Sequence, residues 1–299
     1  MGCRSWPLCN GHLGLSGTIH ALLEQSHRYG AAIVTVLVVA SFAVVFRSRE
    51  RDPVARRSAA AALGLIVVQV ALGAITVLAH NAGWTVAVHL AGAWLLVAAV
   101  TVTASRALRR TEPATGPVSA SATTAGTRPR AGGTRQRWRS GRTPALTAAV
   151  AVFMLGVSGM LVLHEGASLA CPSWPLCTGS SASPGLVLLQ YVHRSLGLIA
   201  TVAVGWAAVV LWRSSPRRSR RRTVAAAVLT ALAATAAMGG LVATTGASEL
   251  TQDVHLALAS ALWLGTVMMA SVTPPAAVAR GAANAEAAPH GAFPATGHA

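Results

Sequence analysis

Charge is scarce in this sequence, and one basic residue is missing altogether. Charged residues make up 11% of the 299 positions, and lysine is absent, so all 24 basic residues are arginines. Hydrophobic residues make up 53%, and the mean hydropathy is +0.55. This composition excludes an ordinary soluble domain of this size and predicts an all-α polytopic membrane protein. Seven apolar stretches are long enough to cross a bilayer as helices, near 29–46, 58–79, 84–105, 144–163, 185–212, 223–246 and 254–272.

The net charge of +16 comes from arginines that cluster between the predicted spans. Five arginines separate the first two spans, nine lie from Arg106 to Arg142, and six lie from Arg213 to Arg222. Together with Arg280 they place 21 of the 24 arginines on one side of the membrane in an arrangement of seven spans. The positive-inside rule makes that side cytoplasmic. Topology determinants that also touch anionic membrane lipid explain this distribution better than nucleic-acid binding does. We therefore expect a multi-pass protein of the cell membrane with no nucleic-acid partner.

The sequence contains an internal repeat, in which three short motifs of the first half return in the second. The interval between copies is the same for the two histidine motifs and two residues longer for the cysteine motif. The pairs are Cys3-Arg-Ser-Trp-Pro-Leu-Cys9 with Cys171-Pro-Ser-Trp-Pro-Leu-Cys177, His27-Arg28 with His193-Arg194, and His89-Leu90 with His255-Leu256. We infer a duplicated helical scaffold with one site in each half.

The repeated histidines predict two heme sites near the extracytoplasmic face. The spacing from His27 to His89 equals that from His193 to His255, and each of the four begins or lies close to the outer end of a span. Two neutral imidazoles from opposing helices suit axial ligation of heme iron, and polar residues at membrane depth are costly enough to indicate function. Zinc would require four nitrogen or sulfur ligands in a closer array. The alternative for any single histidine is a bond to the backbone at the membrane interface.

The two predicted sites differ in one polar residue. Glu24 precedes His27 by three residues, whereas the matching position before His193 is Gln190. A carboxylate at the edge of a heme can move protons and an amide cannot, which predicts a reactive first site and an electron-carrying second site. The alternative is that Glu24 neutralises Arg28 or Arg4 at the membrane interface.

Arg28 and Arg194 follow their histidines directly. A guanidinium matches a carboxylate bidentately, so both arginines are candidates for contacts with heme propionates. The alternative is that they extend to the membrane interface.

The cysteines form two close pairs on the predicted outer side. Cys3 and Cys9, like Cys171 and Cys177, are separated by five residues that include Trp-Pro-Leu, and such a turn can bring two sulfurs within disulfide range. A structural disulfide and a redox-active pair both remain open. Cys3 and Cys9 are the better redox candidates because they are nearer Glu24 in sequence.

The chain is expected to comprise four parts. These are an N-terminal half over 1–106, an arginine-rich cytoplasmic linker over 107–143, a C-terminal half over 144–272, and a disordered tail over 273–299. The second half has four predicted spans and the first has three, because no stretch corresponds to the span at 144–163. We expect an in-frame apolar segment of about 20 residues upstream of Met1 in the genomic DNA. An in-frame stop codon close upstream would contradict this expectation.

Several of these motifs occur together in one known family. The chain resembles the heme A synthase family over nearly all of 1–272 except the linker. The matching pieces are the two outer Cys-x-x-Trp-Pro-x-Cys loops, Glu24-x-x-His27-Arg28, Gln69-x-x-x-Gly73-x-x-Thr76-Val77 with His89-Leu90, and Gln190-x-x-His193-Arg194 with His255-Leu256.

The resemblance implies a fold and an activity. The fold is two tandem pseudo-symmetric four-helix bundles, of which the first helix is missing from this sequence. The activity is that of an oxidoreductase acting on a CH or CH2 group: it oxidises the C8 methyl of heme O to the formyl group of heme A for cytochrome oxidase. Heme O is then the substrate, and heme O synthase and the assembly of cytochrome oxidase are the expected partners. The resemblance leaves a homo-oligomer open.

The resemblance also implies a role for each motif residue. The first half would hold the substrate heme and the second would hold a heme B cofactor. In this assignment His27 and His89 hold heme O, Glu24 is the essential carboxylate, His193 and His255 ligate heme B, Cys3–Cys9 is the disulfide linked to activity, and Cys171–Cys177 is a second disulfide.

Three other classes of protein explain part of the pattern. A di-heme electron carrier of cytochrome b type explains the histidines but neither the cysteine loops nor Glu24. A membrane thiol oxidoreductase explains the cysteine loops but not the histidines. A transporter built from repeats needs no iron ligands.

Overall fold

The computed structural model describes residues 18–49, 52–111, 142–173 and 175–273, together with Trp6, Leu8 and Gly11, and gives only the backbone of 109–111. Within these ranges the regular structure is entirely helical. The helices are α1 (Ile19–Arg47), α2 (Pro53–Leu78), α3 (Gly83–Thr111), α4 (Arg142–His164), a 3₁₀ turn (Ala167–Leu169), α5 (Pro184–Arg213), α6 (Arg220–Thr244) and α7 (Glu249–Val272).

The seven α-helices of the described ranges are long and apolar enough to cross a membrane. Their candidate spans run from 23 to 30 residues, and about 20 apolar residues cross a bilayer. This finding confirms the predicted all-α, multi-pass membrane fold.

Helix α1 begins earlier than hydropathy predicts. It starts at Ile19 rather than near 29, because the Thr18 side chain caps it and accepts a hydrogen bond from the Ala21 N–H at 3.4 Å. The polar turns after Ile19 are helical although they are not hydrophobic. His27 therefore lies in the third turn of the helix and not at its beginning.

The predicted linker is shorter than the sequence suggests. Helix α3 continues to Thr111 and α4 begins at Arg142, so both helices extend into the range 107–143. Residues 112–141 and 274–299 lie outside the described part of the chain, and the predictions for the linker and the tail remain untested there.

The internal repeat is visible in the helix boundaries. Helices α1 and α5 end at the equivalent positions Arg47 and Arg213, and α2 and α6 end at the equivalent positions Leu78 and Thr244. The turns that follow α2 and α6 also correspond. His80 and Asn81 adopt φ of 53° and 58°, and their equivalents Gly246 and Ala247 adopt 79° and 53°. Glycine adopts this left-handed conformation without strain, which accounts for Gly246 at the position of His80.

The helices of the second half form a four-helix bundle. In this bundle α5 packs against α4 and α6, and α7 packs against α6 and α4. Helix α3 joins the halves by packing against both α4 and α7, whereas α1 packs mainly against α2 and leaves many apolar side chains exposed.

A tryptophan pair marks the contact between the halves. The rings of Trp94 on α3 and Trp263 on α7 stack with centroids 5.6 Å apart, and Trp263 Nε1 donates to the Trp94 carbonyl at 2.8 Å. Trp94 Nε1 donates to Ser260 Oγ at 3.3 Å, and these two residues are equivalent positions of the repeat. A residue that contacts its own equivalent lies beside a two-fold axis, so α3 and α7 face each other across the pseudo-symmetry axis.

Candidate heme centres

The first pair of histidines comes together between α1 and α3. The ring centroids of His27 and His89 lie 6.4 Å apart, and the rings are inclined at 75°. A metal–imidazole bond is about 2.0–2.1 Å long and a ring nitrogen lies about 1.1 Å from its centroid, so two imidazoles on opposite sides of one metal have centroids about 6.3 Å apart. The spacing therefore fits two axial ligands of a single iron.

The second pair lies between α5 and α7. His193 and His255 are both half-buried in the second bundle. Within the described residues no group of three or more His, Cys, Asp or Glu side chains could hold a metal ion.

Three of the four histidines face a glycine on a neighbouring helix. A Cβ atom at Gly159 would lie 3.0 Å from His193 Cε1, and one at Gly239 would lie 3.1 Å from His255 Cε1. At Gly73, which is equivalent to Gly239 in the repeat, the distance to His89 Cε1 would be 3.5 Å. A side chain at Gly159 or Gly239 would therefore crowd the histidine, whereas an alanine at Gly73 would make an ordinary contact.

Ser158 sets the tautomer of His193. Its Oγ donates to the Leu155 carbonyl at 2.8 Å and lies 2.9 Å from His193 Nδ1. When the Ser158 proton goes to the Leu155 carbonyl, the serine oxygen accepts the proton on Nδ1, and this tautomer leaves the lone pair on Nε2 available to a metal. Such partners orient metal-binding histidines in general.

The histidines on α3 and α7 are supported differently. In the amide orientation that satisfies all three partners, Gln69 donates to the His89 carbonyl at 3.0 Å and to His89 Nδ1 at 3.2 Å, and accepts from the Ala93 N–H at 3.2 Å. At the position equivalent to Gln69, Thr235 donates to the Ala231 carbonyl of its own helix instead. His255 Nδ1 is buried and has no hydrogen-bond partner among the described residues. Of these two histidines, His89 alone is therefore held, within the described ranges, by a side chain from a neighbouring helix.

Glu24 forms an ion pair on its own helix. Its Oε1 lies 2.9 Å from Arg28 Nη2, one turn further along α1, and the two side chains are 25% and 14% exposed. The pair lies beside His27, which is three residues from Glu24. The ion pair thus holds the carboxylate on α1, one helical turn from His27 in the chain.

Gln190, the counterpart of Glu24, has a structural role. Its Nε2 donates to the carbonyls of Ala167 at 2.8 Å and Ser168 at 3.3 Å, and the residue is buried. The amide thus holds the outer 3₁₀ turn against α5. The difference between Glu24 and Gln190 is consequently a difference in contacts as well as in charge.

Arg194 binds the loop that carries Cys171 and Cys177. Its guanidinium donates to the carbonyls of Ser173 at 2.8 Å, Pro175 at 3.0 Å and Cys171 at 3.1 Å. Cys171 and Cys177 form a disulfide that closes this loop. The predicted contact of Arg194 with a propionate stays a prediction, as does that of Arg28.

Some predicted residues lie outside the described part of the chain, and some useful ones were not predicted. Cys3 and Cys9 belong to the first group. Ser158 and Gly159 belong to the second, because α4 has no repeated counterpart in the sequence to draw attention to them. Gly239 could have been found from its repeat equivalent Gly73.

The chain is similar to known proteins along nearly its whole length. The profile of the COX15-CtaA family, described as cytochrome oxidase assembly protein, matches residues 2–101 and 85–267. A heme A synthase of Symbiobacterium thermophilum is 31% identical over 271 residues, which cover 88% of this chain and 82% of that protein. A heme A synthase of Geobacillus thermodenitrificans is 29% identical, and the match covers 70% of this chain and 61% of that protein. A heme A synthase of Listeria monocytogenes is 27% identical, and the match covers 87% of this chain and 79% of that protein.

Proposed function

The chain belongs to the COX15-CtaA family of cytochrome oxidase assembly proteins, and from this premise we propose that it is a heme A synthase. Membership of this family, together with the named relatives, supports an enzyme of heme A biosynthesis. The finer proposal is that it oxidises the C8 methyl of heme O to a formyl group, an oxidation of a CH or CH2 group. Heme O synthase and the cytochrome oxidase assembly are the proposed partners.

The main structural support for the proposal is the distance of 6.4 Å between the ring centroids of His27 and His89. We assign the substrate heme O to this pair and a heme B cofactor to His193 and His255. In this assignment 1–106 is the substrate half and 144–272 is the cofactor half. The histidines of each pair would hold the heme, Arg28 and Arg194 would contact its propionates, and the heme would supply the redox chemistry when bound.

Glu24 supplies the acid–base function in this proposal. Oxidation of a methyl to a formyl group removes protons and electrons in equal numbers when water supplies the oxygen. Glu24 Oε1, fixed by Arg28 at 2.9 Å, is placed one helical turn from His27 to accept such protons. Gln190 has no acid–base capacity, which agrees with a second site that carries electrons.

We further propose that both heme sites lie toward the extracytoplasmic side. The arginines between α1 and α2 and between α5 and α6 support this orientation by the positive-inside rule. The same orientation puts the disulfide Cys171–Cys177 and the proposed disulfide Cys3–Cys9 in an oxidising compartment.

The substitution Glu24→Gln tests the assigned chemistry. We expect this variant to retain heme, because the axial histidines are unchanged, but to make no heme A. The measurement is heme extraction and chromatography of membranes that also express heme O synthase. Glu249→Gln, which changes an exposed carboxylate in the first turn of α7, is the matched control and should leave heme A output unchanged. Normal heme A output from Glu24→Gln would refute the role of the carboxylate.

A further inference from the structure

A groove of about 400 Å³ lies between the halves at their arginine-rich end. It is bounded by α3, α4 and α7, and its walls are apolar. Wall residues include Leu95, Leu146, Val150, Met154, Trp263 and Val267. The groove is separate from the histidine pairs, which lie toward the opposite end of the same helices.

The groove extends as deep as one leaflet of a membrane. Along α3 it runs from Arg106 to Leu95, and along α4 it runs from Arg142 to Met154. At 1.5 Å per residue these stretches are about 16 and 18 Å long. One leaflet contributes about half of the hydrocarbon core of about 30 Å, so the groove matches the length of one acyl chain.

One side of the groove is open to the membrane. Val150 is 61% exposed, and Leu95, Leu146 and Met154 are also exposed. An extended hydrocarbon chain of the surrounding lipid can therefore enter the groove from this side.

The mouth of the groove is positively charged. Arg106 and Arg142 line it, and Arg106 Nη1 lies 3.9 Å from the Asp52 carboxylate, with the arginine side chain 33% exposed. Arg142 makes no ion pair among the described residues. Among the described residues at the mouth there are two guanidinium groups and one carboxylate, so guanidinium donors are available for an anion such as a phosphate.

We infer that this groove binds an anionic phospholipid, with one acyl chain between α3, α4 and α7 and the phosphate on Arg106 and Arg142. The apolar walls of the groove suit the acyl chain, and the arginines at its mouth suit the phosphate. Anionic lipids are enriched in the leaflet that juxtamembrane basic residues contact. The inference does not depend on the proposed enzymatic function.

Native mass spectrometry of the full chain tests this binding. The chain is purified in mild detergent and offered phosphatidylglycerol or phosphatidylcholine of the same acyl composition. We expect one phosphatidylglycerol to be retained, with a preference of about tenfold over phosphatidylcholine, because each arginine near the surface favours anionic lipid. The double variant R106Q/R142Q should lose the preference. Equal retention of both lipids by the unmodified chain would overturn the inference.

Two further variants separate binding from folding. R213Q/R217Q removes two arginines from the same end of the molecule that do not line the groove, and it should keep the preference. Val150→Trp fills the open side at an exposed position and should reduce retention of phosphatidylglycerol without disturbing the bundle. Unchanged retention by both R106Q/R142Q and Val150→Trp would show that the lipid binds elsewhere.

Discussion

Replacement of Gly239 by alanine tests whether the glycines make room for heme ligation. The added Cβ would lie 3.1 Å from His255 Cε1, whereas carbon atoms pack best about 3.5–4.0 Å apart. The His255 ring must then move away from the added Cβ by about 0.4–0.9 Å. Metal sites tolerate errors of about 0.2 Å in ligand distance. We expect heme affinity of the second site to fall about 10- to 100-fold, the range for altered support of a metal-binding histidine.

Gly73→Ala is the matched control because Gly73 occupies the equivalent position of the repeat. Its Cβ would lie 3.5 Å from His89 Cε1, an ordinary contact, so first-site heme should be retained. Alanine in a helix interior is favoured over glycine by about 1 kcal/mol, so neither variant should lose its fold for backbone reasons. The assay is the heme-to-protein ratio of purified protein by absorption spectroscopy. Full heme occupancy and an unchanged spectrum in Gly239→Ala would refute the reasoning.

Two other substitutions test individual contacts. Ser158→Ala removes the partner of His193 Nδ1 at 2.9 Å. Redox titration should then show a shifted midpoint potential for the heme of the second site only. An unchanged potential would contradict the assigned tautomer. Arg194→Ala removes three hydrogen bonds to the loop that carries the disulfide. A membrane-impermeant reductant should then cleave Cys171–Cys177 several-fold faster. An unchanged rate would show that the loop does not depend on Arg194.

The membrane fold could be predicted because its signal is local. Each helix carries an apolar run long enough to cross a bilayer, and the arginines separate the runs. The beginning of α1 could not be predicted from hydropathy, since Ile19 to Arg28 includes polar residues that are helical because of the cap at Thr18. Helix formation there depends on the backbone and the cap rather than on hydrophobicity.

The candidate site was partly predictable for a related reason. The repeat led to His27 and His89, and the structure places their rings at a spacing that suits a shared metal. Contacts between distant segments left no such signal. Ser158 meets His193 across two helices, and Gln190 meets the carbonyls of a turn that precedes α5 in the chain, so neither contact could be derived from sequence spacing.

Heme extraction from the purified chain and from the variants His27→Ala and His193→Ala tests the central claim most directly. We predict that the unmodified chain yields heme B together with heme O or heme A. His193→Ala should lose heme B, whereas His27→Ala should lose heme O and heme A and keep heme B. Heme B alone in both sites would indicate an electron carrier instead, and a chain without heme would contradict both heme assignments.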